Sequence, residues 1–99
     1  MFEIRKTHQF TEWLDGLADV RARARVQAHI ERLAGGNAGD VQPVGEGVSE
    51  MRIHYGPGYR VYFTRRGSKL VVLLAGGDKS TQPTDIKHAL QLARDLAED

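Results

Sequence analysis

Arg52 and His54 in E-M-R-I-H-Y, Arg60 in G-Y-R-V-Y-F and Lys79 in G-G-D-K are the side chains of this sequence best suited to chemistry on an anion. Guanidinium groups donate paired hydrogen bonds to phosphate or carboxylate oxygens, lysine supplies a compact positive charge, and imidazole exchanges protons near neutral pH. From Arg52 to Lys79 the chain carries six Lys/Arg (Arg52, Arg60, Arg65, Arg66, Lys69, Lys79) against the single acid Asp78, a local +5 where the whole chain sums to +1. Residues 1–50 sum to -2 and residues 51–99 to +3. Charge segregated in this way attracts phosphate even on a molecule that is nearly neutral. The plainer reading of the same charges is a solvated sheet face with loosely paired partners.

These residues need a sheet to hold them. At period 2, Met51, Ile53 and Tyr55 fall on one side and Arg52 and His54 on the other, and Tyr59, Val61 and Phe63 oppose Arg60, Tyr62 and Thr64. The pattern predicts strands over 48–55, 59–65 and 69–75, joined by tight turns at Gly56-Pro57-Gly58 and Arg66-Gly67-Ser68, with the basic side facing solvent. Gly76 and Gly77, like Gly56 and Gly58, read as turn glycines. Ahead of this meander, Phe2 to Thr7 alternates weakly and suits a first strand at a sheet edge. Phe10, Trp13, Leu14 and Leu17 have helical spacing, and Asp19 is an N-cap for a second helix ended by Gly35 and Gly36. Trp13 reads as a core anchor, and Arg21, Arg23 and Arg25 as a second exposed basic surface. Residues 35–47, rich in glycine and holding Pro43, read as a loop. Ile86, Ala89, Leu90, Ala93 and Leu96 predict a closing helix over 83–97. The outcome is an α+β fold of order β-α-α-β-β-β-α: a small antiparallel sheet with an N-terminal α-hairpin and a C-terminal helix.

Length and composition agree with one domain over residues 1–99. There is no cysteine, so neither a disulfide nor a thiolate metal site is available, and the four histidines lack metal-ligand spacing. The longest apolar run, Leu70 to Ala75, is too short to span a bilayer, so a cytoplasmic protein with no membrane partner is expected.

The stretches V-G-E-G-V-S-E-M-R-I-H-Y-G-P-G-Y-R-V-Y-F, L-L-A-G-G-D-K-S-T-Q and D-I-K-H-A, set in this order of elements, resemble the RelE/ParE superfamily of toxins, in particular the HigB-like addiction-module killer group, also described as phage-derived Gp49-like. The resemblance covers essentially the full chain. It implies a RelE-like fold and a toxin of a type II toxin-antitoxin module, paired with a cognate antitoxin, typically a helix-turn-helix protein. RelE-like members act on the ribosome as metal-independent, cofactor-free mRNA endoribonucleases, in which the substrate's own 2'-hydroxyl attacks the adjacent phosphate. ParE-like members instead inhibit DNA gyrase, and a degenerate member would only bind its antitoxin; fold alone does not separate these outcomes.

On that resemblance Arg52 and Arg60 are expected to stabilise phosphorane charge, Lys79 to hold a phosphate or protonate the leaving oxygen, and His54 to transfer a proton. Tyr62 is a candidate for stacking on a base beside Arg60, with Gln82 and Arg65 as further substrate contacts. Tyr59 is expected in the core. Some ribonuclease members carry a tyrosine near the C-terminal end of the site, and this sequence has none after Tyr62. Codon preference and oligomeric state are not written in the sequence.

Overall fold

The computed structural model describes residues 1–97. Its elements run β1 (Glu3–Lys6), α1 (His8–Asp15), α2 (Val20–Ala34), β2 (Val41–Gly45), β3 (Val48–Ile53), β4 (Tyr59–Arg66), β5 (Leu70–Asp78), a 3-10 turn (Lys79–Thr81) and α3 (Gln82–Ala97). The five strands form one sheet in the order β1-β5-β4-β3-β2, with β1 parallel to β5 and every other pair antiparallel. The α+β class, the helices before the meander and the closing helix are as the periodicity predicts.

Helices α1 and α2 cover one face of the sheet. Phe10, Leu14, Ala22, Val26, Ile30 and Leu33 pack there against Met51, Ile53, Val61, Phe63, Val71 and Leu73. Each large apolar side chain fully buried in this layer contributes roughly 1.5–3 kcal/mol. Trp13 joins the same layer, its ring 5.7 Å from Phe10 and 6.2 Å from Tyr59, so Trp13 and Tyr59 belong to the core as expected. Thr7 starts α1 by accepting from the Phe10 amide, and its hydroxyl donates to the Leu74 carbonyl at 2.6 Å. Leu74 is the extra residue where the β4–β5 register shifts, so Thr7 satisfies a carbonyl left over by that bulge. Asp19 caps α2 through the Arg21 and Ala22 amides.

Four expectations need correction. The supposed loop at 35–47 contains β2. Pro43 is compatible with a strand there because β2 is an edge strand with one neighbour, and the ladder shifts register between Pro43 and Gly45. The second face of the sheet is not left to solvent: α3 covers it, burying Val48, Tyr62, Val72, Leu74 and Ala75 with Ala89 and Ala93. Central strands β4 and β5 are therefore buried on both faces, which is why their alternation is blurred by continuous apolar runs. Among the α2 arginines, Arg21 and Arg25 are exposed but Arg23 is partly covered, its Nε buried with no hydrogen-bond partner among the described residues.

The fourth correction concerns Gly76 and Gly77, which lie inside β5 and not in a turn. A Cβ on Gly76 would overlap the Trp13 ring, and one on Gly77 would overlap the Asp85 carboxylate. These glycines let α1 and α3 approach the last strand closely from opposite sides. Gly76→Ala is expected to destabilise the protein by roughly 1–3 kcal/mol, the ordinary range for overpacking a filled core. Urea unfolding measures this, and a variant as stable as the parent would show that Trp13 relaxes freely.

Candidate functional site

The β3–β4 turn carries the chain from Ile53 to Tyr59 with Gly56 and Gly58 at positive φ, 55° and 82°. It is closed by the Gly58 amide donating to the Tyr55 carbonyl at 3.1 Å. Beside this turn lies an open hollow of about 490 Å³, lined by Arg52, Ile53, His54, Tyr55, Gly56, Pro57, Gly58, Tyr59, Arg60 and Lys79. All four residues singled out for chemistry, Arg52, His54, Arg60 and Lys79, line this one hollow.

Register explains how the arginines meet. Arg52 and Arg60 are directly paired across β3 and β4, where like charges repel. Glu50, two residues before Arg52 and so on the same face of β3, relieves that repulsion. Its side chain is only 2% exposed; Oε2 accepts from Arg60 Nη1 at 3.2 Å and lies 3.6 Å from Arg52 Nε. Gln82, from the first turn of α3, donates its amide to both carboxylate oxygens at 2.7 and 3.0 Å. A carboxylate only accepts, so the Gln82 NH₂ must face it. Arg60 is 11% exposed and Arg52 35%, and the Nε of each is buried with no hydrogen-bond partner among the described residues.

Lys79 also lines the hollow beside Gly58, where an added Cβ would come within 3.6 Å of the Lys79 Cβ. It opens the 3-10 turn, whose cap is Asp78: Oδ1 accepts from the Ser80 amide at 2.8 Å and the Ser80 hydroxyl at 2.5 Å, while the Asp78 amide donates to Thr81 Oγ1. The Ser80 hydroxyl bond, joined by backbone amides, outweighs partial burial and holds the Asp78 carboxyl below its ordinary value of 3.8. His54 is exposed, with Nε2 2.7 Å from Asp40 Oδ2. Asp40 is itself placed by its carbonyl, which accepts from the Arg52 amide at 2.9 Å. The imidazole is thus held by one nitrogen, leaving Nδ1 for exchange.

The three expected substrate contacts fare differently. Tyr62 is 0% exposed beneath α3, so its ring has no face to offer a base. Burial first, and then the nearby Glu50 and Asp85 carboxylates, push its phenol well above the ordinary tyrosine range, and its hydroxyl has no hydrogen-bond partner among the described residues. Gln82 is engaged with Glu50 and serves the inner layer. Arg65 lies toward the far end of β4, its guanidinium 4.6 Å over the Phe2 ring, and does not line the hollow. The residues missed from sequence are Glu50, Asp40 and Asp78. An acid two residues before an arginine in a strand was the available signal for Glu50, since the two share a face.

Residues 12–98 match the family described as phage derived protein Gp49-like (DUF891). The chain is also 49% identical, over 94 residues, to a Haemophilus influenzae (strain Rd) protein described as uncharacterized, an alignment covering 95% of each. The span matched to the family contains every residue lining the hollow.

Two measurements follow from this geometry. Tyr62→Phe removes a buried hydroxyl with no partner among the described residues, so it is expected to leave activity intact and to be neutral or stabilising by up to about 1 kcal/mol; lost activity with retained fold would restore Tyr62 to the site. Asp78→Ala is expected to cost about 0.5–2 kcal/mol as a lost cap. Because the folded carboxyl titrates below 3.8, its share of stability is present above that pH and fades as the pH falls through the folded value. The gap between parent and variant, followed by thermal unfolding, should therefore narrow only in strong acid.

Proposed function

The chain belongs to the phage-derived Gp49-like family, within the RelE/ParE-like toxin superfamily, and from that premise we propose that it is a HigB-like toxin that cleaves mRNA on the ribosome. The observation that carries this reading is the gathering of Arg52, Arg60, Lys79 and His54 around one open hollow. In the proposed reaction the 2'-hydroxyl oxygen of the RNA forms a bond to the adjacent phosphorus and the bond to the 5'-oxygen breaks. The products are a 2',3'-cyclic phosphate and a 5'-hydroxyl. Arg52 and Arg60 stabilise the added charge on the non-bridging oxygens. Lys79, without an ion-pair partner among the described residues, holds the phosphate or supplies the proton taken by the 5'-oxygen. His54, oriented by Asp40, is the proton-transfer group and takes the proton that the attacking 2'-hydroxyl loses. No metal or organic cofactor enters this scheme.

The proposed partners are the ribosome with its message and a cognate antitoxin of the helix-turn-helix kind. The antitoxin covers either the hollow or the exposed Arg21 and Arg25 on α2. Hydrogen exchange of the complex protecting neither region would remove that assignment.

Primer extension on translating and non-translating message tests the activity. Wild type is expected to cut only translated message, and Arg52→Ala to lose on the order of 10² to 10³ in rate, as lost oxyanion donors do. Arg52 is a cleaner probe than Arg60, whose removal would also strip a buried carboxylate of its hydrogen-bonded cation. Growth arrest without RNA cleavage, accompanied by inhibition of gyrase supercoiling, would replace the nuclease reading with the ParE-like one.

A further inference from the structure

Glu50 is the one carboxylate among the described residues whose side chain is buried, and it belongs to no step of the proposed reaction. Taking a carboxylate out of water is unfavourable unless donors surround it, and an apolar residue facing α3 at this position would avoid that cost. Both oxygens are engaged: Oε1 with Gln82, Oε2 with Gln82 and Arg60, and Arg52 just beyond hydrogen-bond range at 3.6 Å. At 2% exposure the side chain is not open to a substrate.

We propose that Glu50 is a positioning residue: its carboxylate, braced by Gln82, anchors the cross-strand pair Arg52 and Arg60 and aims their remaining N–H groups at an incoming phosphate. The proposal rests on the nuclease reading for its catalytic consequence but not for its structural one. Without the anion the two guanidinium groups, paired in register, repel and swing apart. With it, one edge of the Arg60 guanidinium is fixed and Arg52 is drawn toward the same oxygen. A carboxylate in this role offsets one positive charge and leaves the pair net positive for phosphate. Gln82 links the arrangement to the start of α3, so the helix covering the sheet also fixes the depth at which the carboxylate sits.

The test compares wild type, Glu50→Gln and Gln82→Ala by the side-chain Nε–Hε resonances of Arg52 and Arg60 in ¹⁵N-edited spectra, alongside steady-state cleavage of translated message. Both resonances are expected to be dispersed and slow to exchange in wild type. In Glu50→Gln they should collapse toward the exposed arginines, with kcat lower by about ten- to hundredfold and KM within about threefold, the scale of a small misplacement of catalytic groups. The loss should have the same size across the neutral range. In an Arg52→Ala background, the further loss from Glu50→Gln should be smaller than in wild type, as coupled residues require.

Unchanged arginine resonances and kcat in folded Glu50→Gln would reduce Glu50 to a packing residue. A loss that widens as pH rises, with the acid limb of the wild-type profile abolished in the variant, would make it a general base; either outcome overturns the proposal. Should Glu50→Gln fail to fold, Gln82→Ala decides: partial collapse of the same resonances supports positioning, and wild-type resonances refute it. If wild type cleaves nothing, the nuclease reading fails and the resonances alone judge the role of Glu50.

Discussion

Two arginines facing each other across neighbouring strands can persist only if an anion stands between them, and Glu50 is that anion. The rest of the molecule follows from accommodating it. The carboxylate must be sealed from water to act strongly on both guanidiniums, and the seal is α3, which brings Gln82 to the same oxygens. Low local polarity strengthens each of these hydrogen bonds and makes any unpaired member expensive, so the group stands or falls together.

The three layers divide the work. The α1–α2 side holds an apolar core with aromatic contacts among Phe10, Trp13 and Tyr59, and supplies the rigid platform on which β3 and β4 lie. The α3 side holds the polar layer of Glu50, Gln82, Tyr62 and Asp85 at one end and small residues, Ala89 and Ala93, at the other. Small residues let the helix come close to the strands. Polar chemistry is thereby confined to the end of the sheet where the β3–β4 turn and the Lys79 turn meet.

Much of this was legible in the residues. Period-2 alternation placed Arg52 and Arg60 on one face and Tyr59 in the core, and helical spacing found all three helices. What sequence hid was hidden for physical reasons. Pro43 and the glycines around it mask β2, because an edge strand tolerates what a central strand does not. Tyr62 alternates with the basic residues and so looked exposed, yet which face of a sheet a later helix will cover is decided by packing and not by local pattern. Gln82 and Arg65 were close in sequence to the right place, but one turned inward to Glu50 and the other left by the far end of its strand. Gly76 and Gly77 looked like a turn because the partners that demand them, Trp13 and Asp85, come from distant segments.

The parallel pairing of β1 with β5 also sets an order of events during synthesis. Glu3 to Lys6 are made well before their partners, Leu70 to Leu73, and the Thr7 amide and hydroxyl wait for carbonyls at Leu73 and Leu74. Until most of the chain has been made, the opening strand has no edge to join and α1 no bulge to anchor it. Contacts this far apart in sequence close late and slowly. Closure of the β1–β5 edge therefore waits for synthesis through Leu74, and until then the basic segment lacks part of its scaffold.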